Sequence, residues 1–439
     1  MSRIILFITI LAMAAYGQIA LTVYSDGFAL VKESRTISVG KGITQYDYTP
    51  VPSGIMPQTV HLSADGIAVL EQNYEYDLVS TERLLEKGVD SEIRVYTEKE
   101  GPYQGTLLSS DGTTILLDIN GQLTSLLVEK TTAVNFIERP DRLFTRPTLA
   151  WLLYSDKAGK KDTELSYMTN GVGWQAAYIA TVNKDDTRLA LDGWVTINNF
   201  SGMTYKDAIL KLVAGEVHRA EVLGRGAGAP KGVTMDMAEA AAGFEEEAFF
   251  EYHLYTLPRP ATVADRQEKQ LSLFEPAETD AEKVFVFEPF RGDKVRVEME
   301  FVNSEEKGLG MPLPEGVIRV YKEDKSGALQ FVGEDRIEHT PKDEEIRIYL
   351  GNAFDVVAER NRIDYRRISN RVYEEDYEIK LRNHKDEDII VKVVEHFWGD
   401  WFIKAENIEG NKEDARTNEW EVPVPADEEV TLTFTVRHK

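Results

Sequence analysis

Residues 163–182 read TELSYMTNGVGWQAAYIATV and contain two strand-like runs, Thr163 to Met168 and Trp174 to Val182. Two further runs follow at Leu189 to Asn198 and Ile209 to Val213, with polar turns between them. Aromatic and β-branched residues dominate all four runs, as a pleated and half-buried surface favours. No strand–helix–strand alternation is present, so this stretch predicts an all-β fold made of antiparallel sheets.

Short β-runs also fill the N-terminal part of the chain, and residues 89–140 hold the most regular group. Five runs lie in this segment, and Asp111-Gly112 and Asn120-Gly121 separate three of them. Asp-Gly and Asn-Gly supply the positive φ angles that two-residue hairpins need. The segment therefore predicts a small SH3-like barrel. Just before it, Glu82 to Lys87 is a predicted helix with Ser80 or Thr81 as its N-cap.

Residues 219–250 interrupt the β pattern. A glycine-rich stretch precedes Ala238 to Glu247, which is rich in Ala and Glu. Long loops without regular structure are usually lids or disordered segments, so we predict a flexible insertion here. Its Ala/Glu-rich part is also compatible with one amphipathic helix. Strand-like runs resume after the insertion, and the stretch from Tyr377 onward predicts an immunoglobulin-like sandwich.

These patterns together predict an all-β, multidomain antiparallel β-sandwich architecture with the small SH3-like barrel near the N-terminus. The predicted domains are a signal peptide at 1–17, an N-terminal β domain at 18–88, the SH3-like barrel at 89–140, a central β-sandwich at 145–375 with the flexible insertion at 219–250, and C-terminal strands of an immunoglobulin-like sandwich at 376–439.

The first seventeen residues have the pattern of a secretory leader. Arg3 supplies a positive charge, Ile4 to Tyr16 is apolar except for Thr9, and Ala15-Tyr16-Gly17 offers a cleavage site before Gln18. A membrane-spanning helix needs about 20 apolar residues, so an uncleaved anchor is the less favoured alternative. We therefore expect a periplasmic or secreted protein with no integral span after the leader is removed.

The amino-acid composition excludes several classes of functional site and partner. The 439 residues contain no cysteine, which excludes disulfides, thiolate nucleophiles and thiolate zinc sites. The formal net charge of −25 disfavours nucleic acid and anionic lipid as partners. It is compatible with cationic partners or divalent metals, and equally with a surface that serves only solubility.

Four motifs resemble a bacterial family. They are LSYMTNGVGW at 165–174, GWVTINN at 193–199 with SGMTY at 201–205, LKLVAGE at 210–216 and YHLYTL at 252–257. This set is similar to the domain-of-unknown-function 4139 family, which also occurs in mucoidy-inhibitor-like proteins. The resemblance extends from about Val23 to about Phe402 and implies an exported, mostly β protein of the cell envelope. It carries no catalytic residues across, and the coiled coil common before the domain in mucoidy-inhibitor-like members has no heptad counterpart here.

Catalytic signatures are missing from the sequence. There is no Gly-x-Ser-x-Gly, no His-Glu-x-x-His and no phosphate-binding Gly-x-x-x-x-Gly-Lys. We therefore predict no cofactor and no metal site. Two weaker patterns remain as catalytic candidates. Glu251, His253 and Tyr255 share one face of a predicted strand, where they would transfer protons or only fix register. Glu216 and His218 share a face beside the predicted insertion.

Two clusters are candidates for ligand binding. Arg366 and Arg367 lie in a dense charged stretch whose guanidinium groups are suited to carboxylate or phosphate, or to ladders across exposed strands. Trp398, Trp401 and Phe402 surround Gly399-Asp400 and would stack on sugars or fill a core.

The preferred functional prediction is an exported bacterial envelope protein that binds or scaffolds without catalysis, with another envelope protein or a glycan as its partner. The alternative is an envelope hydrolase or carbohydrate-binding protein that uses the 219–250 insertion as a lid. A calcium-stabilised adhesin is a third possibility. A hydrolase would bring a histidine and a carboxylate together in a pocket. A binding module would expose an apolar patch or an unpaired edge strand.

Overall fold

The computed structural model describes residues 18–76, 80–98, 100–138, 144–215, 217–218 and 244–439. The predicted leader at 1–17 and most of the predicted insertion at 219–250 lie outside these residues. The described chain divides into two compact units. Unit 1 holds the described residues up to Gly173 together with Asn198–Lys211 and Arg259–Glu268. Unit 2 holds Trp174–Ile197, the described part of Leu212–Pro258, and Lys269–Lys439.

Strands dominate both units. In chain order they are β1 (Ile19–Tyr24), β2 (Phe28–Val39), β3 (Gly42–Tyr48), β4 (His61–Ser63), β5 (Ile67–Glu75), β6 (Glu92–Thr97), β7 (Tyr103–Ser110), β8 (Thr114–Ile119), β9 (Gln122–Leu127), β10 (Thr131–Phe136), β11 (Thr148–Ser155), β12 (Gly159–Asn170), β13 (Val172–Val182), β14 (Arg188–Asn199), β15 (Tyr205–Ala214), β16 (Glu245–Phe249), β17 (Tyr252–Thr256), β18 (Ala261–Val263), β19 (Gln267–Ser272), β20 (Ala277–Asp280), β21 (Glu282–Phe287), β22 (Arg296–Val302), β23 (Gly316–Glu323), β24 (Leu329–Ile337), β25 (Glu345–Asn352), β26 (Val356–Arg367), β27 (Tyr373–Asn383), β28 (Ile389–His396), β29 (Trp401–Glu406), β30 (Asn411–Lys412), β31 (Thr417–Val424) and β32 (Glu429–His438). The helical elements are α1 (Thr81–Lys87) and 3-10 turns at Pro57–Thr59, Val128–Lys130 and Glu305–Lys307.

The longest pairing in unit 1 joins β2 and β12, which align antiparallel along their whole lengths. Their inward positions carry mainly apolar side chains, two threonines and one carboxylate, Glu33. This carboxylate is buried and accepts hydrogen bonds from Tyr48 Oη at 2.7 Å and from Arg35 Nη2 at 3.2 Å. A buried charge needs such partners, so the three side chains form one structural group.

A three-stranded sheet with the order β3-β11-β5 lies in the same unit. Its central strand carries Trp151, which is buried, donates through Nε1 to Gln72 Oε1 at 2.9 Å, and packs against Tyr48 at 5.0 Å between ring centroids. A buried indole N–H needs an acceptor, so this bond allows the large side chain to fill the interior.

The five runs predicted within 89–140 form one antiparallel sheet with the order β10-β6-β7-β8-β9. Helix α1 begins as predicted, since Ser80 accepts from the Arg83 N–H at 3.2 Å and Gly88 follows its last residue. Asn120 and Gly121 have φ angles of 55° and 84°, as the predicted hairpin turn requires. Among the described strands β9 and β10 do not pair, so the SH3-like unit is an open sheet and not a closed barrel.

Unit 2 contains sheets with the orders β19-β14-β13-β23-β24, β25-β22-β21-β28-β31-β30 and β26-β27-β32-β29. The predicted all-β, multidomain, mainly antiparallel fold is therefore confirmed. Two pairs, β13 with β23 and β21 with β28, are parallel, which the sequence did not predict. Several other strands separate the members of each parallel pair, so the local alternation of residues gives no sign of their direction.

The C-terminal part of unit 2 is a sandwich in which β21, β28 and β31 face β27 and β32 across one apolar core. Trp420 and Phe434 stack at its centre with ring centroids 4.6 Å apart, and both are buried. Burying a large apolar side chain contributes about 1.5–3 kcal/mol, so these rings are major sources of stability. The predicted boundary between residues 375 and 376 falls inside β27.

Three buried asparagines hold the loops that follow their strands. Asn199 ends β14, Asn303 follows β22, and Asn383 ends β27, and none is more than 1% exposed. Each side-chain amide donates to two or three backbone carbonyls of neighbouring loops. The acceptors are Met203, Val263 and Ala264 for Asn199, Met311 and Pro341 for Asn303, and Glu387, Val424 and Pro425 for Asn383. Each side-chain oxygen in turn accepts from a nearby backbone N–H.

Candidate functional site

Strand β26 is a long edge strand. It spans twelve residues, and among the described strands it pairs only with β27. Its register with β27 shifts between Arg362 and Asp364, which marks a bulge. Large apolar side chains are exposed along it and beside it, namely Phe354, Val357, Ile363, Tyr365 and Ile368. An edge with free backbone groups and apolar side chains is a surface on which another strand can pair.

A cleft of about 890 Å³ opens at the beginning of β26. Its lining residues come from the β21–β22 connection, the β25–β26 connection and the first half of β26. They are Phe287, Pro289, Gly292, Asp293, Lys294, Asn352, Ala353, Phe354, Val356, Val357, Ala358, Glu359 and Arg360. A cleft lined by both apolar and charged groups next to an edge strand can take an apolar side chain of a paired segment while cations and carboxylates fix its orientation.

Arg360 links the cleft to the interior of the sandwich. Its Nε and Nη2 atoms donate to the two oxygens of Glu395 at 2.5 and 3.1 Å, and its guanidinium lies 4.1 Å from the ring centroid of Tyr377. The Glu395 side chain is 6% exposed. Burial raises the pKa of Glu395, and the charge of Arg360 opposes that rise. The pair therefore holds Arg360 in one orientation at the wall of the cleft.

A second ion pair lies further along β26. Arg362 Nη1 donates to Glu375 Oε1 at 2.8 Å, and His438 Nε2 lies 3.5 Å from the other oxygen of Glu375. His438 is buried and stacks on Tyr373 with centroids 4.4 Å apart. Among the described residues neither ring nitrogen of His438 has a hydrogen-bond partner. The imidazole is therefore packed as an aromatic ring beside Glu375 and is not hydrogen-bonded as a proton carrier would be.

The predicted anion-binding arginines are placed differently from each other. Arg366 contacts Asp364 and Asp376 at 2.6 Å and Glu374 at 3.4 Å, and these carboxylates raise the pKa of its guanidinium. Among the described residues, Arg367 donates only to Ser369 O and Asn370 Oδ1. Arg366 is therefore part of a charged ladder across the sheet surface. Within the part of the chain that the structure describes, no carboxylate contacts Arg367.

The ladder continues around Glu374, whose side chain is 2% exposed. Lys404 donates to it at 2.7 Å and Arg437 Nε at 2.6 Å, and these hydrogen bonds lower the pKa of Glu374 to about 2. The carboxylate is thus held in its charged form between strands β27, β29 and β32.

The structure brings His253 to a carboxylate, but not to the one nearest in sequence. His253 Nδ1 lies 2.7 Å from Glu246 Oε1, across the hairpin of β16 and β17, while Glu251 lies exposed in the turn of that hairpin. Tyr255 is buried and donates to Pro312 O at 3.0 Å, and burial raises its pKa. Every residue of β16 is exposed, so the His253–Glu246 pair is on the surface of a hairpin and not at the base of a pocket.

The second catalytic candidate is only partly described. Glu216 lies outside the described residues. His218 is exposed and comes after the end of β15 at Ala214, so it does not occupy a strand position.

The three aromatic candidates near Gly399 have separate roles. Trp401 is 3% exposed, belongs to the sandwich core, and donates to Ala415 O at 2.8 Å. Trp398 is 63% exposed, and the Arg416 guanidinium lies 4.8 Å from its ring centroid. Phe402 is partly exposed between Arg437 and Lys439, at 5.8 and 5.0 Å. The geometry therefore leaves Trp398 as the side chain with a ring open to a ligand.

Among the described residues, no group of three or more His, Cys, Asp or Glu side chains is placed to hold a metal ion. In the same part of the chain, no helix has the length and apolar character needed to cross a membrane. The arginines of β26 were visible in the sequence, but their partners Glu395 and Glu375 were not, nor was His438 beside Glu375. The sequence signal was an acidic or basic residue at an inward position of an otherwise apolar strand.

These features define an all-β, multidomain protein whose C-terminal part is a sandwich with one long, exposed edge strand. The family described as Domain of unknown function (DUF4139) matches residues 163–439, which is more than half of the chain, so the protein belongs to that family. The resemblance seen in the sequence is thereby confirmed, although the match runs from 163 to the C-terminus and not from Val23 to Phe402. No curated protein matches this chain.

Proposed function

We propose that this chain is a bacterial cell-envelope protein that binds or scaffolds another protein and performs no catalysis itself. The observation that carries the proposal is the edge of β26, which combines free pairing capacity, exposed apolar side chains and an adjacent cleft. Strand addition at such an edge gives affinity through main-chain hydrogen bonds and specificity through side-chain pockets. The leader-like pattern at 1–17 supports export to the periplasm or beyond.

The hydrolase alternative has weaker support. The histidine that the sequence singled out and the structure pairs with a carboxylate, His253 with Glu246, is on an exposed hairpin, and the Tyr255 hydroxyl is already bonded to a backbone carbonyl. Catalysis by such groups needs a substrate position within reach of both and a surrounding that excludes water.

Site-specific photo-crosslinking in intact cells tests the proposal. A photoreactive residue at Val357 on the β26 edge should give a reproducible protein adduct. The same residue at Lys380, partly exposed but on the interior strand β27, is the matched control and should give little. Fractionation of the same cells should place the chain in the envelope. Equal adducts at both positions, or a chain confined to the cytosol, would refute the proposal.

Carbohydrate binding is a second candidate because of one observation, the exposed ring of Trp398 with Arg416 against it. An indole face with a neighbouring guanidinium is suited to a sugar ring that also carries a negative charge. Binding of isolated cell-wall glycans that is lost in Trp398→Ala and retained in Phe402→Ala would favour it. Equal binding by both variants would argue against it.

A further inference from the structure

We propose that the occupant of the β26 edge is strand β16 of a second copy of this chain. The two strands would pair antiparallel, with Glu247 opposite Arg360, Glu245 opposite Arg362 and Phe249 opposite Ala358. This inference rests on the proposed function, because it names the partner of the same edge.

Strand β16 is itself an edge. It is the terminal strand of its sheet and pairs only with β17 among the described strands. All five of its residues are exposed, and Phe250 directly after it is also exposed. Phe249 is 58% exposed at the end of the strand, which is unfavourable for a large aromatic side chain in water. Pairing with another edge would cover both the backbone groups and this ring.

The two edges carry side chains of opposite charge, and on β26 the arginines at 360, 362 and 366 also contact carboxylates of their own sandwich. Residues 360–371 contain five arginines and a single acidic residue within a chain of net charge −25. Strand β16 begins with three consecutive glutamates and contains no cation. Glu246 points toward His253. Glu245 and Glu247 lie on the opposite face of the strand, because successive side chains alternate. They are thus the two glutamates available to a partner.

The pairing of Glu247 with Arg360 fixes the rest of the proposed register. In an antiparallel pair, moving two residues along one strand moves two residues back along the other. Placing Glu247 opposite Arg360 therefore places Glu245 opposite Arg362 and Phe249 opposite Ala358. A guanidinium has five N–H donors, so the bonds that Arg360 and Arg362 make with Glu395 and Glu375 leave donors for a second carboxylate.

The apolar end of the strand matches the cleft. Ala358 lines the cleft together with Val356 and Phe287, and its small side chain leaves room in front of it. In the proposed register the ring of Phe249 enters at this point, while its two glutamates lie over the arginines. A pocket for one side chain beside a paired edge is how strand addition obtains specificity.

Each copy carries both edges, so the contact is heterologous. One molecule offers β26 to a neighbour while its own β16 is offered to another, and such contacts generate rings or open chains of molecules. Self-assembly of this kind is a physical basis for a scaffolding role.

Sedimentation velocity of the purified chain tests the pairing. We expect the average mass to rise with protein concentration and to fall as salt screens the charge pairs. Glu245→Lys/Glu247→Lys leaves the β26 edge unchanged but reverses the charge of β16. Arg362→Glu leaves β16 unchanged but reverses one charge on the β26 edge. Either change should weaken self-association about tenfold or more. Glu409→Lys/Glu428→Lys, with the same charge change at exposed sites elsewhere in unit 2, should assemble like the wild type.

Mixing the two variants separates the inference from simple misfolding. One variant supplies an intact acidic strand and the other an intact arginine edge, so the mixture should form complexes that contain both variants, while each alone stays monomeric. Misfolded chains would not associate when the two variants are mixed. Monomers in the mixture would overturn the inference.

Disulfide trapping tests the register, because the chain has no cysteine of its own. Glu245→Cys and Arg362→Cys, in two differently tagged chains, should crosslink on oxidation. Glu245→Cys with Ala358→Cys should not, since four residues along a strand are about 13 Å and a disulfide needs Cα atoms within about 7 Å. A wild-type chain that remains monomeric, together with no crosslink between the Glu245→Cys and Arg362→Cys chains, refutes self-pairing. Adducts to a different protein at Val357 would then leave the proposed function intact.

Discussion

Replacing Arg360 by methionine tests how the sandwich holds a carboxylate in its interior. Glu395 is 6% exposed, and both of its oxygens accept hydrogen bonds from Arg360. Removing the guanidinium leaves a buried carboxylate without its counter-charge, which costs about 3–5 kcal/mol of unfolding free energy. Methionine keeps much of the length of arginine, so the loss reports the charge more than a cavity.

The loss should depend on pH in one direction. Burial raises the pKa of Glu395 in the wild type, and the pKa should rise further without Arg360. A carboxyl group with a raised folded-state pKa favours folding at low pH, and this contribution is lost as the pH rises through the folded-state value. The deficit of Arg360→Met should therefore be largest at pH values above the raised folded-state pKa and should shrink towards about pH 4.3, the pKa of an unfolded glutamate.

Urea unfolding followed by tryptophan fluorescence measures this difference, since Trp420 belongs to the same core as the ion pair's strands. The control is Arg360→Met/Glu395→Leu, which removes both charges and should recover most of the lost stability. A single variant with the wild-type midpoint at every pH would refute the reasoning. So would a double variant as unstable as the single one.

Three further predictions concern the same sandwich. Trp420→Ala should lower the unfolding free energy by about 3–5 kcal/mol, whereas Trp398→Ala should change it by less than about 0.5 kcal/mol, because only the first ring fills the core; urea midpoints compare the two. Asn383→Ala should cost at least about 2 kcal/mol, since it leaves up to three loop carbonyls unpaired; faster amide exchange confined to those loops would locate the effect. Glu374→Gln should be less stable than the wild type at neutral pH. A carboxylate with a lowered pKa stabilises the fold above its unfolded pKa, and this contribution is lost as the pH falls to about 2. Acid unfolding followed by circular dichroism should show the stabilities of the two chains converging near that pH.

Local turn and cap chemistry was predictable from the sequence. Ser80, Gly88 and Asn120-Gly121 act through their own neighbours, so the helix α1 and the β8–β9 hairpin followed from residue types alone. Strand β16 was not predictable in the same way. Its three glutamates have low strand propensity, and pairing with β17 is what makes them extended. The residues 245–247 thus form a strand, where the sequence was compatible with a helix.

The candidate site was visible only in part. The sequence showed an arginine-rich stretch, and Arg366 is attractive for anions when read alone. The register of β26 with β27 places Asp376 and Glu374 beside it, and no local pattern encodes that register. The position of β26 at the edge of a sheet is likewise a property of the whole topology. Sequence could predict the charge of this surface but not which charges are already neutralised.

The buried asparagines have a consequence for how this fold tolerates change. Their amides bind main-chain oxygens, which every residue type possesses, including Pro341 and Pro425. A change of side chain at these acceptor positions therefore leaves the carbonyl oxygen that the asparagine binds. The anchor has no such freedom, because aspartate at the same place would set an oxygen against those oxygens. These hydrogen bonds thus constrain the three asparagines more strongly than the residues whose carbonyls they bind.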